Sequence, residues 1–301
     1  MALGVIAFPP VLSAFVFTPL RLTRQLVVAL VALVAIGGAT RVMEAGLACP
    51  DWPLCYGSLL PTRQMNLQVF LEWFHRLDAF LVGIGLLLLA LALLDRAGQP
   101  RWLPWLSAIA LGLVAAQGAL GALTVTQLLR FDIVSAHLAL ALALVALLSG
   151  TAQLLQPPLA GPRPQGAAWL TAGAGLLVYG QCIAGALMAT QWASGSCLRL
   201  AQGCEWLSAH RLLATPAAAA CSLAALWVLA QPCPLPARRL VVAAGLLAAL
   251  QVMLGVLSLR LALAEPLVTV AHQLVAALLI ATLTAAAIAL RPFPPADPLH
   301  G

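Results

Sequence analysis

Lysine is absent from all 301 residues, charged side chains make up only 8% of the chain, and aromatic ones only 6%. Each shortage excludes something. With so little charge, 63% hydrophobic residues and a mean hydropathy of +1.02, the chain cannot close into an ordinary water-soluble domain. The net charge of +6 comes from 15 arginines against nine acids. They are scattered over short loops, so they point to membrane topology and local function, not to a nucleic-acid surface. Residues 1–20 carry no charge and have prolines at 9, 10 and 19, which does not resemble a cleavable signal peptide with its basic start.

Long apolar runs are what the sequence has in abundance. Stretches near 25–43, 69–94, 103–127, 132–155, 167–190, 205–230, 239–261 and 266–290 are each long enough to span hydrocarbon as a helix. Lipid-exposed strands are excluded because their backbone groups would go unsatisfied. The expected fold is therefore an all-α integral membrane protein of eight transmembrane helices. Glycines and alanines in "VAIGGAT" and "AAQGALGAL" would let helix backbones approach closely. With a cytoplasmic N-terminus, eight arginines (21, 24, 96, 101, 163, 238, 239 and 291) fall inside, against five (41, 63, 130, 199 and 260) in outer loops. The positive-inside rule then puts both termini in the cytoplasm.

Only five histidines occur, and four form a pattern. His75 and His137 are 62 residues apart, as are His210 and His272, so two halves are offset by 135. "EWFHR" at 72–76 answers "EWLSAHR" at 205–211, and Gln117 precedes His137 as Gln251 precedes His272. This self-similarity reads as a duplicated four-helix unit. Four spans is an even number, so the repeat is parallel. The expected division is an N-terminal segment 1–24, a bundle 25–155, a linker 156–166 rich in proline and glycine, a bundle 167–290 and a tail 291–301.

Two crossings separate the histidines of each half, which returns them to one membrane side, where imidazoles on alternate helices could bind one iron from opposite faces. Haem ligation is the favoured reading; packing histidines, a proton relay or a metal site are the alternatives. His300, in the polar tail, receives no role. Arg76 and Arg211 each follow a histidine directly, and each could hold a haem propionate or snorkel to the interface.

The halves differ at the acid. Glu72 precedes His75 by three residues and shares its helix face, whereas Glu205 precedes His210 by five, roughly 140° around the helix. The first half is thus the better candidate for chemistry. Glu72 could alternatively serve as a helix N-terminal acid. Asp78, three residues beyond His75, could pair with an arginine or order water.

Seven cysteines divide unevenly. Cys182, Cys221 and Cys233 sit in or at the ends of spans, as small apolar fillers. Cys49 with Cys55 and Cys197 with Cys204 form close pairs in two loops on the expected outer face, which suggests disulfides Cys49–Cys55 and Cys197–Cys204. Neither spacing suits a zinc finger.

The stretch "GGATRVMEAGLACPDWPLCYGSLLP" (37–61), followed by "EWFHR", closely resembles the haem A synthase family, of the bacterial type with loop cysteine pairs. The likeness extends over the whole chain. It implies oxidation of the C8 methyl of haem O to a formyl group, by successive hydroxylations, giving haem A for terminal oxidases. It also implies that His75 and His137 take the substrate haem, that His210 and His272 hold a permanent haem b, and that Glu72 is the essential acid. Arg76, Arg211 and Arg41 are the expected propionate partners. Haem O synthase and terminal-oxidase assembly factors are the implied partners, in a bacterial or internal energy-transducing membrane; the electron-transfer partner is not specified. Two other classes remain open. A bis-haem cytochrome b carrying electrons from a quinone would explain the histidines but not Glu72 or the cysteine loop; a transporter would leave the ligand spacing unexplained.

Alkylation mass mapping without reductant should leave Cys197 and Cys204 unlabelled; labelling of both would remove the second disulfide.

Overall fold

The computed structural model of the chain describes residues 18–94, 102–190 and 205–292. Among the described residues there are eight helices: α1 (Pro19–Val42), α2 (Leu67–Leu94), α3 (Leu103–Thr126), α4 (Phe131–Leu154), α5 (Ala167–Thr190), α6 (Glu205–Leu229), α7 (Leu235–Arg260) and α8 (Pro266–Ala289). All eight are long and apolar enough to cross a membrane. The expected spans are met to within a residue or two except at two starts. Helix α1 begins six residues early because Thr18 caps it, its hydroxyl accepting from the Arg21 amide, and Pro19 occupies the first turn, where a missing N–H costs nothing. Helix α7 begins four residues early, again with proline in its first turn.

Helices α1 to α4 close into a ring, each packing on its neighbours in chain order and α4 returning to α1. Helices α5 to α8 close in the same order. Between the rings, α8 lies against α1 and α4, and α5 against α4. Helices α1, α4, α5 and α8 therefore make the interior, and α2, α3, α6 and α7 pack mainly within their own ring.

Lipid offers no hydrophobic gain for bringing two helices together, so contact area and hydrogen bonds must do it. Across the interface the Gln273 amide donates to the Val34 carbonyl at 3.0 Å, and the Tyr179 hydroxyl to the Ala139 carbonyl at 3.0 Å. Ser135 and Thr190 hydroxyls pair at 3.0 Å, and Arg41 reaches the Ala189 carbonyl at 3.3 Å. Measured intramembrane hydrogen bonds contribute about 0.6 kcal/mol each on average, so these orient the rings more than they bind them. Close approach contributes the rest: a Cβ added at Gly150 would stand 3.4 Å from Thr284 across the α4–α8 crossing.

The turns joining α3 to α4 and α7 to α8 are built alike. Leu128 and Leu129, and again Ala262 and Leu263, hold φ between 51° and 61°, a left-handed conformation that costs a side-chain-bearing residue about 1–2 kcal/mol. The cost is offset where the second residue of each pair donates back to the helix, Leu129 to the Thr124 carbonyl at 2.8 Å and Leu263 to Ser258 at 2.9 Å.

Gly150→Ala should be tolerated, whereas Gly150→Leu should force the α4–α8 crossing apart and cost about 1–3 kcal/mol. Thermal unfolding in detergent checks both.

Candidate functional site

The four histidines lie five to eight residues into α2, α4, α6 and α8. These helices run in one direction, so the imidazoles gather at one end of the molecule. Within each ring the two are in electrostatic range of each other, His75 with His137 and His210 with His272. All four are half-buried.

Each imidazole rests against a glycine of the preceding helix. A Cβ at Gly37 would meet His75 at 2.9 Å, at Gly121 His137 at 3.3 Å, at Gly185 His210 at 2.8 Å and at Gly255 His272 at 3.1 Å. Every one of these glycines stands five residues before its helix ends. A methyl group at Gly37 or Gly185 would occupy space the ring already fills, and at Gly121 or Gly255 it would press on the ring.

Glutamines complete the arrangement. The Gln117 amide donates to the His137 carbonyl at 2.9 Å, and Gln181 to the His210 carbonyl at 2.7 Å. The Gln251 amide nitrogen lies 3.3 Å from His272 Nε2. His210 Nδ1 lies 3.0 Å from the Gln181 carbonyl, which can only accept, so Nδ1 carries the proton and Nε2 keeps its lone pair. Nδ1 of His75, His137 and His272 is buried without a hydrogen-bond partner. Buried imidazole nitrogens left without a partner call for an explanation beyond packing.

The first ring carries a loop over this end. Cys49 and Cys55 are disulfide-bonded and pack with Val69, Ala48 and Trp73. The Asp51 carboxylate accepts from the Tyr56 and Gly57 amides at 2.6 and 2.8 Å, closing the loop on itself, and the Trp73 indole donates to the Leu59 carbonyl at 2.6 Å. Asn66 caps α2, accepting from the Val69 amide at 2.9 Å.

Glu72 and Arg76 join that loop to α2. Glu72 is buried, 4% exposed; one oxygen accepts from the Cys49 amide at 2.8 Å and the other pairs with Arg76 at 2.5 Å. The Arg76 guanidinium also donates to the carbonyls of Asp51 at 2.6 Å, Leu54 at 2.5 Å and Cys49 at 3.4 Å. Arg76 was expected at a propionate; here it is turned to the loop, because four acceptors converge on it one turn from Glu72. Of the other expected residues, Arg211 and Glu205 are exposed, Asp78 is half-buried, and Arg41 spans to α5. Cys197, Cys204 and His300 lie outside the described residues.

The histidine-facing glycines escaped the sequence reading because glycine is common here, with 23 in the chain. A signal was present: glutamine four residues before glycine recurs as "QGALG", "QCIAG" and "QVMLG".

An eight-span all-helical membrane protein with a glycine-backed histidine pair in each half is the class these features define. Within it, the chain belongs to the COX15-CtaA family, described as cytochrome oxidase assembly protein, whose model matches residues 21–284. Among curated relatives it is 35% identical over 134 residues to the Heme A synthase of Shewanella oneidensis, covering 38% of this chain and 39% of that one. It is 30% identical over 193 residues to the Heme A synthase of a Caulobacter strain, covering 52% and 56%. A stretch of 113 residues is 34% identical to the Protoheme IX farnesyltransferase of Haloarcula marismortui, covering 37% of this chain and 23% of that one. The aligned part thus spans about two fifths to just over half of the two synthases.

Removing one partner of a buried ion pair leaves the other charge stranded, so Arg76→Met should cost about 3–5 kcal/mol. Adding Glu72→Gln to Arg76→Met should return part of that loss, as a double-mutant cycle on unfolding in detergent would show.

Proposed function

We propose that this chain oxidises the C8 methyl of haem O to a formyl group, giving haem A. The observation that carries the reading is the pair of glycine-backed imidazoles in each ring. Two nitrogens fall short of the four-ligand set that structural zinc uses, but they suit a flat macrocycle that brings four nitrogens of its own and needs only axial partners. With its Nδ1 proton on the Gln181 carbonyl, His210 has Nε2, 3.4 Å from the Gln181 amide nitrogen, as the atom that would face such a group, and each of the other three histidines has a buried ring nitrogen without a partner.

In this reading His75 and His137 hold and orient substrate haem O in the ring 25–155, and His210 and His272 hold a resident haem b in the ring 167–290. Turning the methyl into a formyl group removes four electrons and takes an oxygen atom from dioxygen or water, with the acceptor outside this chain; a bound haem would supply the redox-active iron for it, which no side chain here provides. The protein fixes the ring plane through its histidines and excludes bulk water through the disulfide loop. Arg211, and Arg41 near the ring interface, are the propionate partners. Glu72 was expected to accept a proton or position water at the oxidised edge; with both carboxylate oxygens engaged by Arg76 and the Cys49 amide, the geometry supports its use in holding the loop. The histidine end faces outward with both termini cytoplasmic, as the arginine distribution favours. The match to a protoheme farnesyltransferase supports a neighbouring enzyme that makes haem O as supplier, and terminal-oxidase assembly as the destination.

Expressed with a source of haem O, the protein should yield haem A on pigment extraction and chromatography. Haem retained without conversion would favour an electron carrier, and no bound haem would end the reading. His210→Ala should lose the low-spin haem b spectrum; an unchanged spectrum would refute the assignment of the second ring.

A further inference from the structure

We propose that Glu72 and Arg76 are positioning residues that set the place of His75 through the disulfide loop, making His75 the one axial ligand of the four held from outside the bundle. Three of the histidines are tied to the preceding helix from within. Gln117 grips the His137 carbonyl, Gln181 the His210 carbonyl, and Gln251 the His272 ring, each glutamine one turn before the glycine that backs the same histidine. In α1 the position one turn before Gly37 is Leu33, which has no polar group to offer.

The tie missing there is made elsewhere. The residue directly after His75 is Arg76, whose guanidinium takes the carbonyls of Cys49, Asp51 and Leu54, while Glu72, one helical turn before it, takes the Cys49 amide. These contacts go to a loop closed by the Cys49–Cys55 disulfide and by the Asp51 carboxylate, not to a neighbouring helix. The α1–α2 contact beside His75 is left to the bare surface of Gly37. Displacing the loop therefore loosens His75 and leaves His137, His210 and His272 in place.

The asymmetry matches the division of labour proposed above, on which its functional meaning rests. A ring that keeps its haem should fix both ligands from inside, as the second ring does. A ring that takes in a haem and lets it go needs one ligand that can yield, and the first ring has one internal tie, at His137, and one external, at His75.

The test uses the full chain in nanodiscs, with Arg76→Met, Glu72→Gln, and Arg76→Met combined with Leu33→Gln. Losing hydrogen bonds to a charged group should raise amide exchange across residues 72–78 by about tenfold or more in Arg76→Met, with residues 134–140 unchanged. With haem O loaded into the first ring, carbon monoxide should bind ferrous haem at that ring about tenfold faster in Arg76→Met, less so in Glu72→Gln, which keeps an acceptor for the Cys49 amide. Leu33→Gln should bring the double variant back toward the wild-type rate, a rescue that a general loss of stability would not give. If exchange rises in the loop, 49–57, while 72–78 and the carbon monoxide rate stay at wild-type values, the proposal is overturned. Should Arg76→Met not fold, Glu72→Gln carries the same decision. If the wild type takes up no haem, the proposed function fails on its own, and the exchange arm, which needs no haem, still decides whether the loop holds His75.

Discussion

An imidazole lying on a bare glycine is the contact around which this molecule is arranged. In lipid, helices gain nothing from leaving solvent, so what aligns a pair is how closely the backbones can approach and which polar groups they share. Gly37, Gly121, Gly185 and Gly255 allow that approach at the level where a histidine projects from the next helix. The result places each ring's two histidines within electrostatic range at one end of the bundle. The helix order, the shared turn with its two left-handed residues, and the polar contacts between α1, α4, α5 and α8 all hold that level constant across both rings.

On that common frame the first ring carries something further. Its loop, 43–66, is long enough to fold back, close on a disulfide and deliver backbone carbonyls to Arg76. A buried carboxylate beside a half-buried guanidinium is costly in this setting unless both are well hydrogen-bonded. Both Glu72 oxygens and both terminal nitrogens of Arg76 are engaged, largely by the loop's own backbone, which makes loop and helix end a single unit.

Much of the architecture was legible beforehand, for a physical reason: bilayer thickness sets the length of a span, and hydropathy reports it directly. The eight helices were located within a few residues, with the largest errors at the starts of α1 and α7, where the first turn carries arginines and proline and lies outside the apolar run. The histidine spacing picked out four side chains that the fold gathers at one end of the molecule. Glu72 was recognised as sharing a face with His75, but its partners were not, because one of them, the Cys49 amide, is more than twenty residues away and is brought to the carboxylate only by the path of the loop. For Arg76 residue type left the partner open: a guanidinium beside a histidine suits either an anion or a cluster of carbonyls, and the loop's path is what brings the carbonyls of Cys49, Asp51 and Leu54 to it.

By itself, then, the sequence determined that the chain crosses a membrane eight times, that four histidines stand at matching depths, and that the acid beside the first of them is unlike its counterpart. Those properties follow from composition, helix period and spacing, all local along the chain. Which glycine backs which histidine, and that the ion pair at the head of α2 faces a disulfide loop, depends on contacts between segments far apart in sequence. Only the tertiary structure decided those, because in a chain with 23 glycines and 15 arginines, residue type does not say which one comes close.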